Sequence, residues 1–556
     1  MELEGYLVFS KPYQFFFHHL SRLKDIKSPD PIIKEQISTL FQYLSSVVGD
    51  LFSGAGDLFD QGLVSAESLP FLFRPNELIL SRVDNVYVAG ILRSGYGLGP
   101  PARVAPPPPG VKLPSVDLEC WTWGPPQAFS LNRISKIFKV ERTLIDEKVK
   151  ITDLTTFPSR YASGRDIALI KNRGQAFWRL RSMKLISYSG WDFKSEQNHF
   201  ATRLVVDYST YRKLHPLTTI FDTTVFNAPV GIKDVDHRPL KLNLKDDPSD
   251  EDFMLMPPNV YGFDLKEKKW FNLSVDNVRD VEWNVEAFKL LVLPKSTKDL
   301  IQALVEIRGS KGGEKTQMMK RHDIMSDKGQ GLIMLLHGGP GTGKTLTAES
   351  VAEIARMPLY RVTCGDIGTN AEAVEKYLQN ILYLGKAWNC VLLLDEADIF
   401  LEQRSLSDLE RNSLVSVFLR ILEYYEGILI LTTNRVGTFD EAFRSRIQIS
   451  LHYEKLSPEF QRRIWQNFFN MLRTDEEDAD LEELEDHLPE LAEKEMNGRE
   501  IRNSLTTARQ LALHKKETLC WRHLDLAIKT AGNFNRYLKD VHGGEAEDIA
   551  RENRDR

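Results

Sequence analysis

The clearest candidates for chemistry in this sequence lie in one run that fits the pattern GxxxxGK[ST] in full: Gly338, Gly339, Pro340, Gly341, Thr342, Gly343, Lys344 and Thr345. Glycines let the backbone curl so that several N–H groups point inward at phosphate oxygens. Lys344 supplies a mobile positive charge to the phosphates, and Thr345 offers a hydroxyl to Mg²⁺. The apolar strand LIMLLH precedes the run and the helical stretch TLTAESVAEIA follows it. This context favours a nucleotide-binding loop over a glycine-rich turn.

A pair of carboxylates follows an apolar stretch downstream of this loop. In VLLLDEAD, residues 391–398, four apolar residues precede Asp395 and Glu396. Sheets of the α/β class bind ligands at the carboxyl ends of their strands. We therefore expect Asp395 to hold Mg²⁺ and Glu396 to polarise the attacking water. Asp398 is expected to be a helix cap or a surface group.

Two further segments carry candidate polar groups. The strand GILILTTNR ends in Asn434, whose amide is predicted to orient the same water beside Glu396. Arg444 and Arg446 lie in FDEAFRSRIQISLHY, just before another strand. An arginine there is expected at the outer rim of its domain, where it suits the γ-phosphate of a neighbouring subunit better than its own.

The elements that must position these residues alternate between helices and short apolar strands from about residue 270. Strands separated by helical segments indicate a parallel sheet with helices on both faces. The predicted strands are GLIMLLHG, PLYRVTC, CVLLLDEAD, GILILTTN and IQISLHY. From Leu456 to about Asp540 the apolar residues recur with helical period, which predicts a run of helices.

Composition shifts divide the chain further. The sequence predicts these regions: an N-terminal region 1–98, a proline-rich linker or insertion 99–116, a basic α+β domain 117–245, an acidic linker 246–270, an α/β core 271–455, a helical region 456–540 and a charged tail 541–556. The proline-rich run GPPARVAPPPPG cannot join the interior of a helix or sheet. The chain is thus predicted to be α/β, with an α+β N-terminal region before it.

The bulk composition excludes several classes of protein. Four cysteines in 556 residues are far apart and form no CxxC pattern, which argues against a zinc site or a disulfide scaffold and suits a reducing compartment. No run approaches the eighteen apolar residues of a membrane helix, and the N-terminus is a poor signal peptide. We expect a soluble intracellular protein, in either cytoplasm or nucleus, with no membrane span.

The charge is unevenly distributed. Residues 131–245 hold 21 Lys/Arg and 11 Asp/Glu, a balance of +10. Because the net charge of the whole chain is −6, the remaining residues together carry −16. Such asymmetry marks either a nucleic-acid-binding face or a solvated surface. The segment NRGQAFWRLRSMK, residues 172–184, interleaves aromatic and cationic residues, although aromatics at this spacing are more typical of the buried face of a helix.

Taken together, residues 290–530 resemble an AAA+ ATPase, because the loop, the Asp-Glu strand, the Asn strand, the arginine segment and the helical lid occur in that order. The whole chain resembles fungal AAA+ proteins through WNVEAFKLLVLP (283–294), KGQGLIMLLHGGPGTGKT (328–345) and PPNVYGFDLKEKKW (257–270). The resemblance implies Thr345 and Asp395 at Mg²⁺, Glu396 as the catalytic carboxylate and Asn434 as first sensor. It also implies a homo-oligomeric ring, usually of six, with ATP between subunits.

Three departures from the family pattern bear on mechanism. The arginine segment reads FRSRI, and its SRI ending resembles clamp-loader fingers, so Arg446 is ranked first and Arg444 second. In the lid, NGREIRN offers Arg499 as a second sensor that binds ATP, with Arg502 as the alternative. The region 362–378 lacks the aromatic pore loop of translocating rings, which speaks against threading of a polypeptide.

Three functions are consistent with these residues. The first is an oligomeric ATPase, converting ATP and water to ADP and phosphate, that remodels an unknown protein partner. The second adds nucleic-acid binding through the basic middle domain. The third is an ATP-gated scaffold that seldom hydrolyses, which the presence of Glu396 and Asn434 argues against.

Overall fold

The computed structural model describes most of the chain, in two structural units. The described residues are 2–3, 6–7, 11–25, 30–93, 116–127, 129–140, 148–192, 197–215, 238–309, 331–363, 371–404, 409–435, 440–474 and 476–542. One unit consists of Met1–Asp264 and Lys268–Val281, and the other of Leu265–Glu267 and Glu282–Arg556. The proline-rich run at 99–110 lies outside the described residues.

The first unit is built from antiparallel sheets and short helices. Its helices are α1 Gln14–Lys24, α2 Pro31–Asp60, α3 Leu69–Leu72, α4 Gly164–Arg179, α5 Tyr208–Leu214 and α6 Asp250–Met254. Its strands are β1 Glu2–Leu3, β2 Tyr6–Leu7, β3 Leu63–Val64, β4 Leu78–Val83, β5 Val86–Leu92, β6 Val116–Trp123, β7 Ser130–Val140, β8 Val149–Lys150, β9 Thr156–Pro158, β10 Lys184–Asp192, β11 Gln197–Val206, β12 Lys241–Asn243, β13 Asn259–Asp264, β14 Lys269–Ser274 and β15 Val278–Arg279.

Two larger sheets give this unit its core. One has the strand order β12-β7-β6-β5-β4-β9 and the other β14-β13-β11-β10-β15. The first sheet joins strands from 78–92 with strands from 116–158, two stretches that the sequence analysis treated as separate regions. The segment 246–270, expected to be a linker, supplies α6, β13 and the beginning of β14. In the N-terminal half, strands therefore pair across the boundaries that the composition suggested.

The second unit contains the predicted parallel sheet and the helices that follow it. Its helices are α7 Glu286–Leu290, α8 Lys295–Gly309, α9 Lys344–Ala355, α10 Ala371–Ala387, α11 Asp398–Leu401, α12 Leu409–Tyr424, α13 Pro458–Thr474, α14 Leu481–Asp486, α15 Leu488–Glu493, α16 Gly498–Lys515 and α17 Trp521–His542. Its strands are β16 Leu332–Gly338, β17 Leu359–Thr363, β18 Val391–Asp395, β19 Ile428–Thr433 and β20 Ile449–Tyr453.

The five strands pair in parallel in the order β17-β18-β19-β16-β20, which confirms the predicted α/β class. Every residue of β18 and β19 is buried. Continuous apolar strands of this kind are typical of parallel sheets covered on both faces. The order brings the carboxyl ends of β16, β18 and β19 side by side, and these are the ends that carry the loop, Asp395 and Asn434.

The helices α13 to α17 form the predicted lid around their own core. Trp465, Phe469 and Leu505 are among its buried residues. Asn497 caps α16 by accepting a hydrogen bond from the backbone N–H of Glu500, and the Glu500 carboxylate accepts from the N–H of Asn497 in return. Within the described part of the chain, every helix is too short or too polar to cross a lipid bilayer.

Close packing in the first unit generates a stability prediction at Gly174. A β-carbon at Gly174 of α4 would lie 1.8 Å from the carbonyl oxygen of Phe253 in α6. We expect Gly174→Ala to lower the free energy of unfolding of this unit by about 3 kcal/mol, because a backbone carbonyl cannot move aside cheaply. Gly164 begins the same helix and has open space around it, so Gly164→Ala should change stability by less than about 0.5 kcal/mol.

Urea unfolding, followed by amide hydrogen exchange in β6 and β7, measures both variants. Equal midpoints for Gly174→Ala and the natural chain would contradict the close approach of α4 and α6.

Candidate functional site

The predicted phosphate loop joins β16 to α9 and depends on its glycines. Gly338, Gly341 and Gly343 have φ angles of 140°, 75° and 104°. Residues with a β-carbon rarely adopt this region of φ, so the curl of the loop requires glycine. At Gly338 a β-carbon would also lie only 2.2 Å from the carbonyl oxygen of Tyr453. The sequence pattern is thus explained by both conformation and space.

The loop curls around the side chain of Lys344. The Nζ atom of Lys344 donates to the carbonyl oxygens of Gly338 at 2.9 Å and Gly339 at 2.7 Å. The Thr342 hydroxyl donates to the same Gly339 oxygen at 2.8 Å. Lys344 is also the first residue of α9, so the positive end of the helix dipole lies at the loop. A buried cation and a helix N-terminus together form a site suited to phosphate.

A chain of hydroxyls and carboxylates connects this loop to the end of β18. The Thr345 hydroxyl lies 3.3 Å and 3.4 Å from the two carboxylate oxygens of Asp395. The Thr432 hydroxyl donates to Asp395 Oδ1 and accepts from the backbone N–H of Glu396 at 3.0 Å. Glu396 has a φ of 57° and an exposed side chain, while Asp395 is buried. Thr432 therefore fixes both carboxylate-bearing residues from the neighbouring strand.

Asp395 also pairs with a cation from the edge strand. The Arg361 guanidinium in β17 lies 2.6 Å from Asp395 Oδ2. The Arg361 side chain is 51% exposed, whereas that of Asp395 is 7% exposed. The buried carboxylate is thus neutralised by an arginine that reaches it from the solvent side.

Asp398 performs a different role from the one expected. Its Oδ1 accepts a hydrogen bond from the Thr433 hydroxyl and another from the backbone N–H of Asn434 at 3.3 Å. These bonds hold the end of β19, where Asn434 begins the next segment. Asp398 therefore holds the backbone of Asn434, the predicted sensor, in place and is not a free surface group.

The two candidate finger arginines differ sharply in their surroundings. Arg446 donates to the carbonyl oxygens of Leu419 at 3.1 Å and Ala442 at 2.9 Å, and it lies 3.4 Å from the Glu423 carboxylate. Arg444 is exposed, and in the described part of the chain its guanidinium has no hydrogen bond or ion pair. Arg446 is thus held by contacts within its own chain, whereas the Arg444 guanidinium is exposed.

The two candidate arginines of the lid are both exposed on α16. Burial raises the pKa of the Glu349 carboxyl in α9, and the charges of Arg361 and Arg502 oppose that rise. Arg502 is therefore the lid arginine within electrostatic reach of the helix that follows the phosphate loop. Arg499 has no charged partner among the residues that the structure describes.

The phosphate loop touches the lid directly. A β-carbon at Gly341 would lie 2.5 Å from Oδ1 of Asn497, the capping residue of α16. A β-carbon at Gly498, the first residue of that helix, would lie 3.3 Å from the carbonyl oxygen of Gly341. The start of α16 is therefore packed against the loop. A change in the loop on phosphate binding would act directly on the lid.

The aromatic–cationic segment of the first unit is part of a core. Phe177 and Trp178 are buried in the main hydrophobic cluster of that unit. Arg173 is buried and donates to the carbonyl oxygen of Tyr87, while Arg181 donates to that of Leu244 and lies over the Trp178 ring. These contacts account for the interleaved pattern without a nucleic acid.

The structure brings most of the predicted residues to one edge of the sheet. The loop, Lys344, Thr345, Asp395 and Glu396 are joined by the contacts above, and Asn434 follows the strand between β16 and β18. Sequence reasoning missed Thr432, Arg361 and the bonds of Asp398. The sequence signal for Thr432 was the pair of threonines that ends the otherwise apolar strand ILILTT.

Comparison with known proteins agrees with this geometry. Residues 334–455 match the family described as "ATPase family associated with various cellular activities (AAA)", and residues 456–545 match the "Fungal AAA+ ATPase lid domain". The fold agrees with both matches, because a parallel sheet with a phosphate-type loop at its edge is followed by a helical region. Residues 334–545 therefore resemble an AAA+ ATPase domain followed by a lid of the fungal type.

Curated relatives match parts of the chain. The human ATPase family AAA domain-containing protein 3B is 30% identical over 145 residues, which is 25% of this chain and 22% of that protein. A putative 26S proteasome regulatory subunit homolog of Methanothermobacter marburgensis is 28% identical over 207 residues, 35% of this chain and 54% of that protein. The proteasome-activating nucleotidase of Archaeoglobus fulgidus is 27% identical over 220 residues, 37% and 49% respectively. The matches thus span between about a fifth and about half of these relatives' length.

The contact between loop and lid generates a prediction at Gly341. Gly341→Ala forces a left-handed residue with a β-carbon against Asn497, which destabilises both the loop and the cap of α16. We expect ATP affinity to fall at least about tenfold, because strain of roughly 1–2 kcal/mol accompanies the left-handed conformation alone. The melting temperature should fall as well.

Gly532→Ala in α17 is the matched control. Its β-carbon meets open space, and alanine in a helix interior is favoured by about 0.5–1 kcal/mol, so ATP affinity should not change. Titration calorimetry with ATP measures both variants. Unchanged affinity in Gly341→Ala would contradict the packing of the loop against the lid.

Proposed function

We propose that the chain is an Mg²⁺-dependent ATP hydrolase, active as a homo-oligomeric ring, that remodels a protein partner. The observation that carries this proposal is the continuous chain of contacts from Thr345 through Asp395 and Thr432 to Glu396. It ties a phosphate loop to a buried carboxylate and an exposed one, which is the arrangement that hydrolysis requires. A binding scaffold needs only the loop.

The residues at the end of β18 fit a magnesium ion. Mg²⁺ prefers oxygen ligands and is held through one or two protein groups together with phosphate and water. The Thr345 hydroxyl and the Asp395 carboxylate supply hard oxygen atoms within 3.4 Å of each other, next to the loop. Thr345 and Asp395 would hold this ion, and it would supply positive charge to offset the negative charge that develops on the phosphates.

The remaining groups supply positioning and proton handling. Lys344 exchanges its two carbonyl partners for phosphate oxygens, which are stronger acceptors because they are charged. Glu396 is exposed beside the carboxylate that holds the metal, so it can polarise a water directed at the γ-phosphate. Asn434, fixed through Asp398, orients that water. Arg502 is better placed than Arg499 to report the state of the site to the lid, through its charge interaction near Glu349.

The ring is supported by the arginine segment. An arginine finger stabilises the charge that develops on the transferring phosphate, and it is supplied either by the same chain or by a neighbour. A finger that serves a neighbour needs a guanidinium that is not already bound within its own chain. The sequence ranked Arg446 above Arg444, but the bonds of Arg446 within its own subunit favour Arg444 as the finger. Arg446 then holds the segment that presents it, through Leu419 and Glu423.

A protein substrate is the class that the relatives favour. Two of them carry names that refer to the proteasome, a regulatory subunit homolog and an activating nucleotidase. Because the matches cover only parts of those proteins, their partners are not transferred to this chain. The first unit, with its antiparallel sheets, is the candidate region for partner selection.

A mixing experiment tests hydrolysis and the finger together. Arg444→Ala should lower ATP turnover by about 10³-fold or more, which is the usual effect of removing an arginine finger. Glu396→Gln should bind ATP without turnover. Mixed rings of the two inactive chains should recover activity, since Arg444 from a Glu396→Gln subunit completes the intact site of its neighbour.

Arg446→Ala is the matched control. It removes bonds within one subunit, so we expect a loss of stability of about 1–3 kcal/mol with turnover largely kept at low temperature. Failure of the mixed rings to hydrolyse ATP, while each chain still assembles, would contradict a finger acting between subunits. Turnover by Glu396→Gln at the natural rate would contradict its role as the catalytic carboxylate.

A further inference from the structure

The buried carboxylate at the end of β18 already has a cation bound to it from its own chain. Arg361 lies 2.6 Å from Asp395 Oδ2, and the Thr432 hydroxyl occupies Oδ1. In β17, Arg361 precedes Thr363 by two residues, and Thr363 is the partner of Asp395 in the sheet register. Arg361 and Thr363 therefore lie on the same face of the strand, and the long side chain extends along the sheet to the carboxylate.

This pairing opposes a metal at the same carboxylate. A guanidinium bonded to a carboxylate oxygen uses the lone pair and the negative charge that a divalent cation needs. The opposition is strong because the Asp395 side chain is 7% exposed, and charges in a poorly solvated site interact more strongly than in water. Without Arg361, however, the carboxylate would be buried without a charged partner whenever the site holds no metal.

A second carboxylate lies near the exposed guanidinium. Glu349 follows Thr345 by four residues in α9, so it lies one turn away on the same helix face as the hydroxyl that contacts Asp395. Burial raises the pKa of the Glu349 carboxyl, and the positive charge of Arg361 opposes that rise. Arg361 is half exposed, so its head group is able to move between the two acids. Loss of Asp395 as a partner therefore need not leave the guanidinium unpaired.

We propose that Arg361 is an internal counter-cation of the metal site, which neutralises Asp395 in the metal-free protein and transfers to Glu349 when Mg²⁺ arrives with the nucleotide. The inference rests on the proposed function, since it takes Asp395 as the metal-binding carboxylate. Arg361, in the edge strand β17, would then control how much the metal contributes to nucleotide affinity. Arg361 is a positioning residue in this account, and it touches neither the nucleotide nor the attacking water.

The test measures binding rather than turnover. The full chain is titrated with a non-hydrolysable ATP analogue, once with Mg²⁺ and once with EDTA. The dissociation constant in EDTA divided by the dissociation constant with Mg²⁺ is the ratio that gives the contribution of the metal. In Arg361→Gln we expect this ratio to rise at least tenfold, with the affinity in EDTA unchanged within about twofold. The melting temperature of the metal-free variant should fall, because Asp395 loses its charged partner, and Mg²⁺ with the analogue should restore it.

Two further variants sharpen the result. Glu349→Gln removes the second partner of the guanidinium, so its ratio should fall below that of the natural chain. Arg420→Gln is the matched control, because Arg420 also forms an ion pair with a carboxylate, Glu375, on the surface of the same module. Its ratio should equal that of the natural chain.

Three results would overturn the inference in distinguishable ways. An unchanged ratio in Arg361→Gln, together with an unchanged ratio in Glu349→Gln, would mean that the ion pair is structural only. A loss of affinity both with Mg²⁺ and with EDTA would mean that Arg361 contacts the nucleotide itself. Absence of binding by the natural chain under both conditions would overturn the proposed function, and this inference with it. If Arg361→Gln fails to fold, the ratio in Glu349→Gln decides alone.

Discussion

A single buried negative charge, the carboxylate of Asp395, constrains the active edge of this module. It lies at the end of a strand whose residues are all buried. Burying a charge there without a partner costs roughly several kcal/mol. The chain supplies Thr345 from the loop, Thr432 from the next strand and Arg361 from the edge strand to stabilise it. The strand order β17-β18-β19-β16-β20 is what makes these three elements available at one point. The contacts of Thr345, Thr432 and Arg361 with Asp395 therefore meet one electrostatic requirement.

The second organising contact is mechanical. Gly341 leaves no room for a side chain because the cap of α16 lies against it, and Asn497 holds that cap through a reciprocal bond with Glu500. A change in the loop on phosphate binding therefore reaches the first turn of the lid without intermediate residues. Arg502, in the same helix, acts by charge on Glu349 in the helix that leaves the loop. Packing and electrostatics thus connect the same two elements.

Much of the ATPase half was predictable because its signals are local. The five apolar strands, the glycine pattern and the Asp-Glu pair are short runs whose meaning depends on few distant residues, and the structure confirms the parallel sheet they predicted. Thr432 and Arg361 were missed, and Asp398 was expected to be a helix cap or surface group, because the roles of these residues depend on strand order and on rotamers, which composition does not encode. The ranking of Arg446 over Arg444 followed a motif, whereas the difference between them lies in contacts with α12. In the first unit, sheets pair strands that are distant in sequence, so regions drawn by composition and the actual pairing differ.

The central claim is that one chain alone presents an incomplete hydrolytic site, which a neighbouring copy completes. The most direct measurement is ATP turnover per chain across a wide range of protein concentration, with Glu396→Gln as the blank. The account predicts that turnover per chain rises steeply with concentration and levels off when assembly, followed by light scattering, is complete. Turnover that is constant from the monomeric to the assembled range would contradict it.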